Sequence, residues 1–402
     1  MDLLLNNLVI VDGRGGDPVE GSIAVSRGRI AHAGPAADGP RTAARVIDGQ
    51  GCTAIPGLID THTHITLDER DLVAPRLYNR DGESLGMLQA AARAGLALQN
   101  GITTLRDCNA PGYGTLALRS AFAQKLLPGP RLFCSGCAIC ATGGHMHAIS
   151  YQADTPAQVV EGVRKQVEAG ADFIKLVADG TTTAAAGTVQ PHLGAEELKA
   201  GADAAHRAGK RVASHAVSRE GVKRSLEAGA DSIEHGYDLT DELVAMMLER
   251  NAWLVPTLSV HGAIVRNGGA AGWHADRLRN SERILGTAVA SVGRAFRAGV
   301  RVACGSDAGS PFNPVWKVVP ELRLLCEAGL APGQALQAAT LKAAELIGVQ
   351  KDIGTLEAGK LADIVLVEGD PLRNVGALER IHAVIKEGAV VREPGARVNP
   401  RG

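Results

Sequence analysis

The stretch AGADFIKLV, residues 169–177, joins a small-residue turn around Gly170 to a short apolar run. Three later stretches repeat it: AGKRVASHA at 208–216, AGADSIEHG at 228–236 and AGVRVACGSD at 298–307. In each, glycine follows a helical pattern and supplies the left-handed cap that ends a helix. A short buried strand comes next. Recurring helix, turn and strand is βα alternation, the arrangement that parallel strands require of their connections.

Carrying the pattern in both directions along the chain predicts eight strands, at 53–61, 102–107, 130–136, 173–178, 211–215, 232–235, 253–257 and 301–305. Helical stretches lie between them, including 83–99, 156–169, 195–208 and 281–298. This is an α/β chain whose strands close into a (β/α)8 TIM-like barrel, with the active site at the strands' C-terminal ends. An open doubly wound sheet is the alternative, but no glycine-rich phosphate loop follows the first strand.

The two ends read differently. NLVIVDG, GSIAVSRGRIAHAG and RVIDG near the start, and ADIVLVEGD and IHAVIKEGAVV near the end, are short strand patterns separated by turn residues. They predict a small discontinuous β-sandwich domain formed by both termini, residues 1–54 and 350–402, around a barrel at 55–349. GARVNPRG, 395–402, reads as a frayed tail.

Composition narrows the function. A chain of 402 residues with 45% hydrophobic residues buries a large core. Forty-two basic against 43 acidic residues leave a formal net charge of -1. That balance favours neither nucleic acid nor an anionic membrane as partner, and points to a small neutral or zwitterionic substrate. The opening MDLLLNNLVIVDG lacks a basic leader and is too short to span a bilayer, so it reads as the first strand of a cytoplasmic protein. A homo-oligomer is the expected assembly. Seven cysteines, an odd number, argue for reduced thiols. CSGCAIC, 134–140, has no fourth cysteine nearby to complete a cluster site, and its thiols read as buried packing.

The chemistry concentrates at strand ends. In PGLIDTHTHI, 56–65, residues two apart on a strand face one way, so His62 and His64 present two imidazoles to one point. Lys175 ends the fourth strand, His215 the fifth and His235 the sixth, and Asp307 lies just past the eighth. Six potential ligands on one barrel rim predict a metal site. Lys175 does not fit there as a cation, because bound metal would repel an ammonium. A neutral amine that captures carbon dioxide becomes a carbamate, an anionic oxygen donor able to bridge two metals. Pairing with Asp179 or with a substrate carboxylate is the other reading of Lys175.

GLIDTHTH, FIKLVADG, ASHAV, SIEHG, GSDAG and GTLEAGKLADIVLV together resemble the amidohydrolase superfamily, in particular its binuclear zinc members with a carboxylated lysine. ATGGHMH, 141–147, with EHGYDL, 234–239, is most similar to the prolidase-like group of Xaa-Pro dipeptidases and other Xaa-amino-acid carboxypeptidases. The resemblance implies two divalent metal ions, with His62, His64 and Asp307 on one, His215 and His235 on the other, and N6-carboxylated Lys175 across both. Deaminases of the superfamily commonly lack the bridging lysine, so FIKL favours the hydrolases.

A water shared between two such ions would be acidified enough to supply a bridging hydroxide at neutral pH, with the substrate carbonyl polarised. Asp307 is then the natural proton shuttle to the leaving amine. Zinc suits imidazoles mixed with carboxylates, while manganese, iron and cobalt stay open. His145, on the loop after the third strand, is placed to meet the substrate carbonyl and its developing oxyanion. Tyr237 is a candidate for the substrate carboxylate. His147 stands where relatives often carry a small residue, so it would alter the pocket. His261, Arg266 and RNGGAAGWH, 266–274, read as a surface loop or a lid. His32, His192, His206, His274 and His382 have no context that raises them further.

Three functions follow. The first is cleavage of the amide bond of a dipeptide or N-acyl amino acid. Next come cyclic-amide hydrolysis, of an imidazolone or hydantoin ring, and deamination on the same scaffold. A non-catalytic scaffold ranks last, since all six ligands are present.

Overall fold

In a computed structural model of the chain, the structure describes residues 1–70, 76–180 and 193–396. His192 and residues 397–402 of the expected tail lie outside them. Leu58–Thr63 is buried at every position, as a strand walled by helices outside and by barrel side chains within must be. Parallel pairing carries it to Ile102–Asp107 and then to Arg131–Cys134. The third strand breaks at Gly136, whose φ of 67° suits glycine, and resumes as Ile139–Cys140 against the fourth strand, Ile174–Val177. Val212–Ala216, Ser232–His235, Trp253–Val255 and Arg301–Val302 follow in order. The ring closes where the Thr61 N–H reaches the Cys304 carbonyl at 3.0 Å and the Asp307 N–H the His62 carbonyl at 2.7 Å. The fold is the expected barrel with an additional β-rich unit.

The expected helices form at Pro156–Glu168, Ala195–Arg207 and, extended at its start, Ala275–Arg297. Stretch 83–99 lies within Arg76–Gln99, which kinks at Gly82. No helix of the described residues is long and apolar enough to cross a membrane. One reading needs correction: 53–61 is not a single strand. Thr53–Pro56 pairs antiparallel with Ile364–Val367, outside the barrel, and only Leu58–Thr63 belongs to the ring. The chain changes sheets at Gly57, where a Cβ would come within 2.2 Å of the Thr103 hydroxyl oxygen. An apolar run buried on both faces carries no mark of such a switch.

Both termini contribute to one eight-stranded sheet, which runs from Ala389–Arg392 through Ile381–Lys386, Ile364–Val367, Thr53–Pro56, Leu3–Ile10 and Val19–Ser26 to Arg29–Gly34. Arg45–Asp48 lies beside Leu3–Ile10. Strand alternation divides the side chains of Ile364–Val367. Ile364 and Leu366 join Leu3, Leu5, Ile23 and Ile385 in the sheet's own core, while Val365 and Val367 pack into the barrel's.

The cysteines of 134–140 are free thiols. Cys134 and Cys140 are buried, and Cys137 points instead to the Gly112 carbonyl at 3.6 Å.

Candidate metal centre

The ends of the first, fourth, fifth, sixth and eighth strands bring all six expected ligands together. His64 Nε2 lies 3.1 Å from Asp307 Oδ1, and His62 Nε2 lies 3.6 Å from the same oxygen. Lys175 Nζ is 3.4 Å from His62 Nε2. His235 Nε2 and His215 Nδ1 are 2.8 Å apart. Ligand atoms of His62, His235 and Asp307 all lie within 4.8 Å of one another, a spacing that could hold an ion.

Burial sets the charge states. It pushes the His235 imidazole down to about 3, with Lys175 lowering it further against the opposing charge of Asp307. Burial, then the Lys175 charge, holds His62 well below the ordinary histidine value. Burial and then His235 do the same to His215. These imidazoles are therefore neutral near pH 7, the form that ligates metals. For Asp307 burial acts the other way, but the His64 hydrogen bond and the nearby His62 outweigh it and keep the carboxyl below its usual range.

The donor set fits divalent metal. His215 Nε2 is buried and makes no hydrogen bond among the described residues, with Asp179 Oδ1 at 4.0 Å. Lys175 is buried and, among the described residues, forms no ion pair. Asp179, the alternative partner considered for it, instead accepts from the Val217 and Ser218 N–H groups at 2.9 and 2.8 Å.

Groups behind the cluster aim it. The His62 Nδ1 meets Glu234 Oε2 at 2.7 Å, and Arg106 Nη2 donates to both Glu234 oxygens at 2.8 and 2.9 Å. His235 Nδ1 meets the Thr257 hydroxyl at 2.6 Å, and His64 Nδ1 lies 3.3 Å from the Asn109 carbonyl. Asp60, raised to about 6 by burial, accepts from the His62 and Ser306 N–H groups and so ties the first strand to the eighth. Glu321, raised to about 8 by burial, accepts from the Leu258 and Ser259 N–H groups and fixes the turn that carries Thr257.

Sequence reasoning missed Glu234, Arg106 and Thr257. Alternation assigns adjacent Glu234 and His235 to opposite faces, but His235 has a φ of 81°, and both side chains reach His62's surroundings. The adjacency in SIEH was visible, but the backbone turn was not.

The substrate candidates divide. The His145 ring lies 4.4 Å from the His215 ring, beside the cluster. The Tyr237 hydroxyl is buried, 3.1 Å from Thr257 Oγ1 and 3.4 Å from His235 Nδ1, so it faces the group behind His235. His147 is exposed, with Nδ1 3.0 Å from the Gly144 carbonyl, and closes the turn that carries His145. His261 is not on a loop. It is buried in the first turn of Ser259–Asn267, 5.2 Å ring to ring from Tyr237.

Residues 53–391 match the model of the Amidohydrolase family. A putative prolidase from Bifidobacterium longum is 32% identical, with a TM-score of 0.86 over 99% of this chain and 96% of its own. The structure of a Xaa-Pro dipeptidase with methionine bound in its active site is 28% identical, with a TM-score of 0.87 over 97% and 99%. By sequence, an imidazolonepropionase from Symbiobacterium thermophilum is 28% identical over 382 residues, covering 86% of this chain and 83% of its own.

Proposed function

The chain belongs to the amidohydrolase family and is a hydrolase of carbon–nitrogen bonds, and we propose that it releases an amino acid from a dipeptide or an N-acyl amino acid. The observation that carries this reading is Lys175, buried 3.4 Å from His62 Nε2 without a carboxylate partner among the described residues. An ammonium there opposes metal binding, and a carbamate favours it. A bridging lysine belongs to the hydrolases of this superfamily more than to its deaminases. The relative that holds methionine in its active site supports release of a free amino acid.

In this reading His62, His64 and Asp307 hold one divalent ion, His215 and His235 the other, and carboxylated Lys175 joins them. Zinc is the favoured metal. When bound, the ions acidify a water and polarise the amide carbonyl. Asp307, anionic at rest, would take the proton of the attacking water and become neutral, then give that proton to the leaving amine and return to the carboxylate. His145 donates to the carbonyl oxygen as its charge grows. Tyr237 turns its hydroxyl from Thr257 to the substrate carboxylate, and His147 borders the substrate through the turn it closes. Catalysis resides in the barrel, which the chain enters after Gly57, with the sheet built from both termini as its support.

Imidazolonepropionase relatives favour a second reading, hydrolysis of a cyclic amide. A panel of dipeptides, N-acyl amino acids, C-terminally amidated dipeptides, imidazolones and hydantoins, offered to zinc-reconstituted protein, separates the two. Free-acid dipeptides or N-acyl amino acids are expected to react fastest and amidated ones poorly. Faster turnover of the rings, with amides and free acids alike, would transfer the assignment to cyclic substrates.

A further inference from the structure

Resting on the metal-centre reading above, we propose that the buried Arg106–Glu234 pair is a positioning unit for His62, and strengthens binding of the ion on the His62, His64 and Asp307 side.

The imidazole of His62 stands between two groups. Its Nε2 faces Lys175 and Asp307, while its Nδ1 meets Glu234 Oε2 at 2.7 Å. An Nδ1–H donated to a carboxylate fixes the tautomer, leaves the Nε2 lone pair toward the cluster and makes that nitrogen more basic. The four histidines are backed unequally. His235 has the neutral Thr257 hydroxyl, His64 has a backbone carbonyl at 3.3 Å, and among the described residues no carboxylate comes within hydrogen-bond distance of either His215 nitrogen, Asp179 Oδ1 being 4.0 Å away. Of these backings, only that of His62 is a carboxylate at hydrogen-bond distance.

A second observation bears on the same carboxylate. His62, Cys108 and Glu234 offer ligand atoms within 4.8 Å of one another, a spacing that could itself hold an ion. Arg106 already supplies the cation. Its Nη2 contacts both Glu234 oxygens, its Nε donates to the Thr61 carbonyl, and its guanidinium lies 4.9 Å from the Phe173 ring centre. The Ser232 hydroxyl adds a 2.5 Å bond to Glu234 Oε1. Burial pushes the Cys108 thiol up to about 12, so it does not compete as a thiolate. The pair therefore holds the Glu234 carboxyl group in place inside the barrel, aimed at one imidazole nitrogen.

Removing Glu234 alone would strand a buried guanidinium, so the test uses charge-balanced variants. Wild type, Arg106→Met/Glu234→Gln and Arg106→Met/Glu234→Met are stripped, titrated with zinc against a graded chelator, and compared by metal content and by thermal melting of the stripped proteins. The Met/Met variant is expected to bind one of the two ions roughly 10- to 100-fold more weakly, and the Met/Gln variant, which keeps an oxygen acceptor, by an intermediate factor. The second ion and the melting of the stripped protein should change little. Affinities matching wild type in both variants, or an equal loss at both ions that follows a fall in stripped-protein melting, would overturn the proposal. Should neither double variant fold, Ser232→Ala removes one bond to the same carboxylate and is expected to weaken the same ion about threefold. No change there would also overturn it. Wild type that takes up no zinc at any concentration fails at the earlier step, the metal centre itself.

Discussion

Left-handed backbone serves different ends in two regions of this molecule, the hairpins of the terminal sheet and the barrel rim. In the terminal sheet it forms turns. Arg27 (φ 51°) and Gly28 (φ 75°) link Val19–Ser26 to Arg29–Gly34, and Glu387 (φ 49°) and Gly388 (φ 79°) link Ile381–Lys386 to Ala389–Arg392. Both are two-residue hairpins, in which positive φ matches the strands' twist. At the barrel rim, His235 (φ 81°), Thr257 (φ 51°) and Asp307 (φ 54°) take the same conformation at or just beyond three consecutive strands. No hairpin requires it there, and Thr257 is β-branched and fully buried. Each such residue costs on the order of 1–3 kcal/mol and persists because its surroundings hold it. The sheet uses positive φ to reverse the chain, whereas the rim uses it to aim side chains inward.

The largest effect should follow from removing a rim ligand. His62→Ala is expected to lower turnover on the order of 10³-fold or more, since metal assistance supplies several kcal/mol of transition-state stabilisation. Far-ultraviolet circular dichroism should stay that of the wild type, because a core this large does not depend on metal to fold. Turnover within tenfold of wild type, in protein verified as folded, would remove the rim from the chemistry and with it the functional half of the contrast.

A smaller effect separates strain from function at one residue. Thr257→Gly relieves a positive φ on a β-branched residue, but gives up the hydroxyl on His235 and buried side-chain contacts. These opposing changes are each about 1–2 kcal/mol, so stability in urea should move little. Turnover should nevertheless fall roughly 10- to 100-fold, because His235 loses the group that orients it. Unchanged turnover would mean that the strain at Thr257 serves no purpose at the metal centre.

This contrast also explains what the sequence disclosed. The helix–glycine–strand repeats identify the barrel because each glycine cap is a local event with a local signature. The ligands were legible because each sits at the end of a predicted strand, where one residue type decides the chemistry. The backing groups were not legible. Arg106 and Glu234 belong to strands that are not sequence neighbours, and the adjacent Glu234 and His235 both reach His62 because His235 turns left-handed and breaks the alternation. Nor could Tyr237 be oriented, since its partner Thr257 lies 20 residues away at the end of another strand. The change of sheet at Gly57 was hidden for a similar reason: the Thr103 side chain that requires glycine there comes from the next barrel strand.

The smallest effect tests the sheet side of the contrast. Arg27 is exposed, makes no ion pair among the described residues, and holds its turn through a backbone N–H donated to Asp2 at 2.6 Å. Asparagine retains that N–H and tolerates left-handed backbone better than arginine, and Asn-Gly is the favoured pair for such a hairpin. Arg27→Asn should therefore raise stability by roughly 0.3–1 kcal/mol, read as a higher urea midpoint at unchanged slope. Turnover should stay at the wild-type value, because the turn lies in the terminal sheet and its cost is purely conformational. A fall in stability would mean that Arg27 does more than reverse the chain. A change in turnover would couple this turn to the rim, and the two uses of left-handed backbone could no longer be treated as independent.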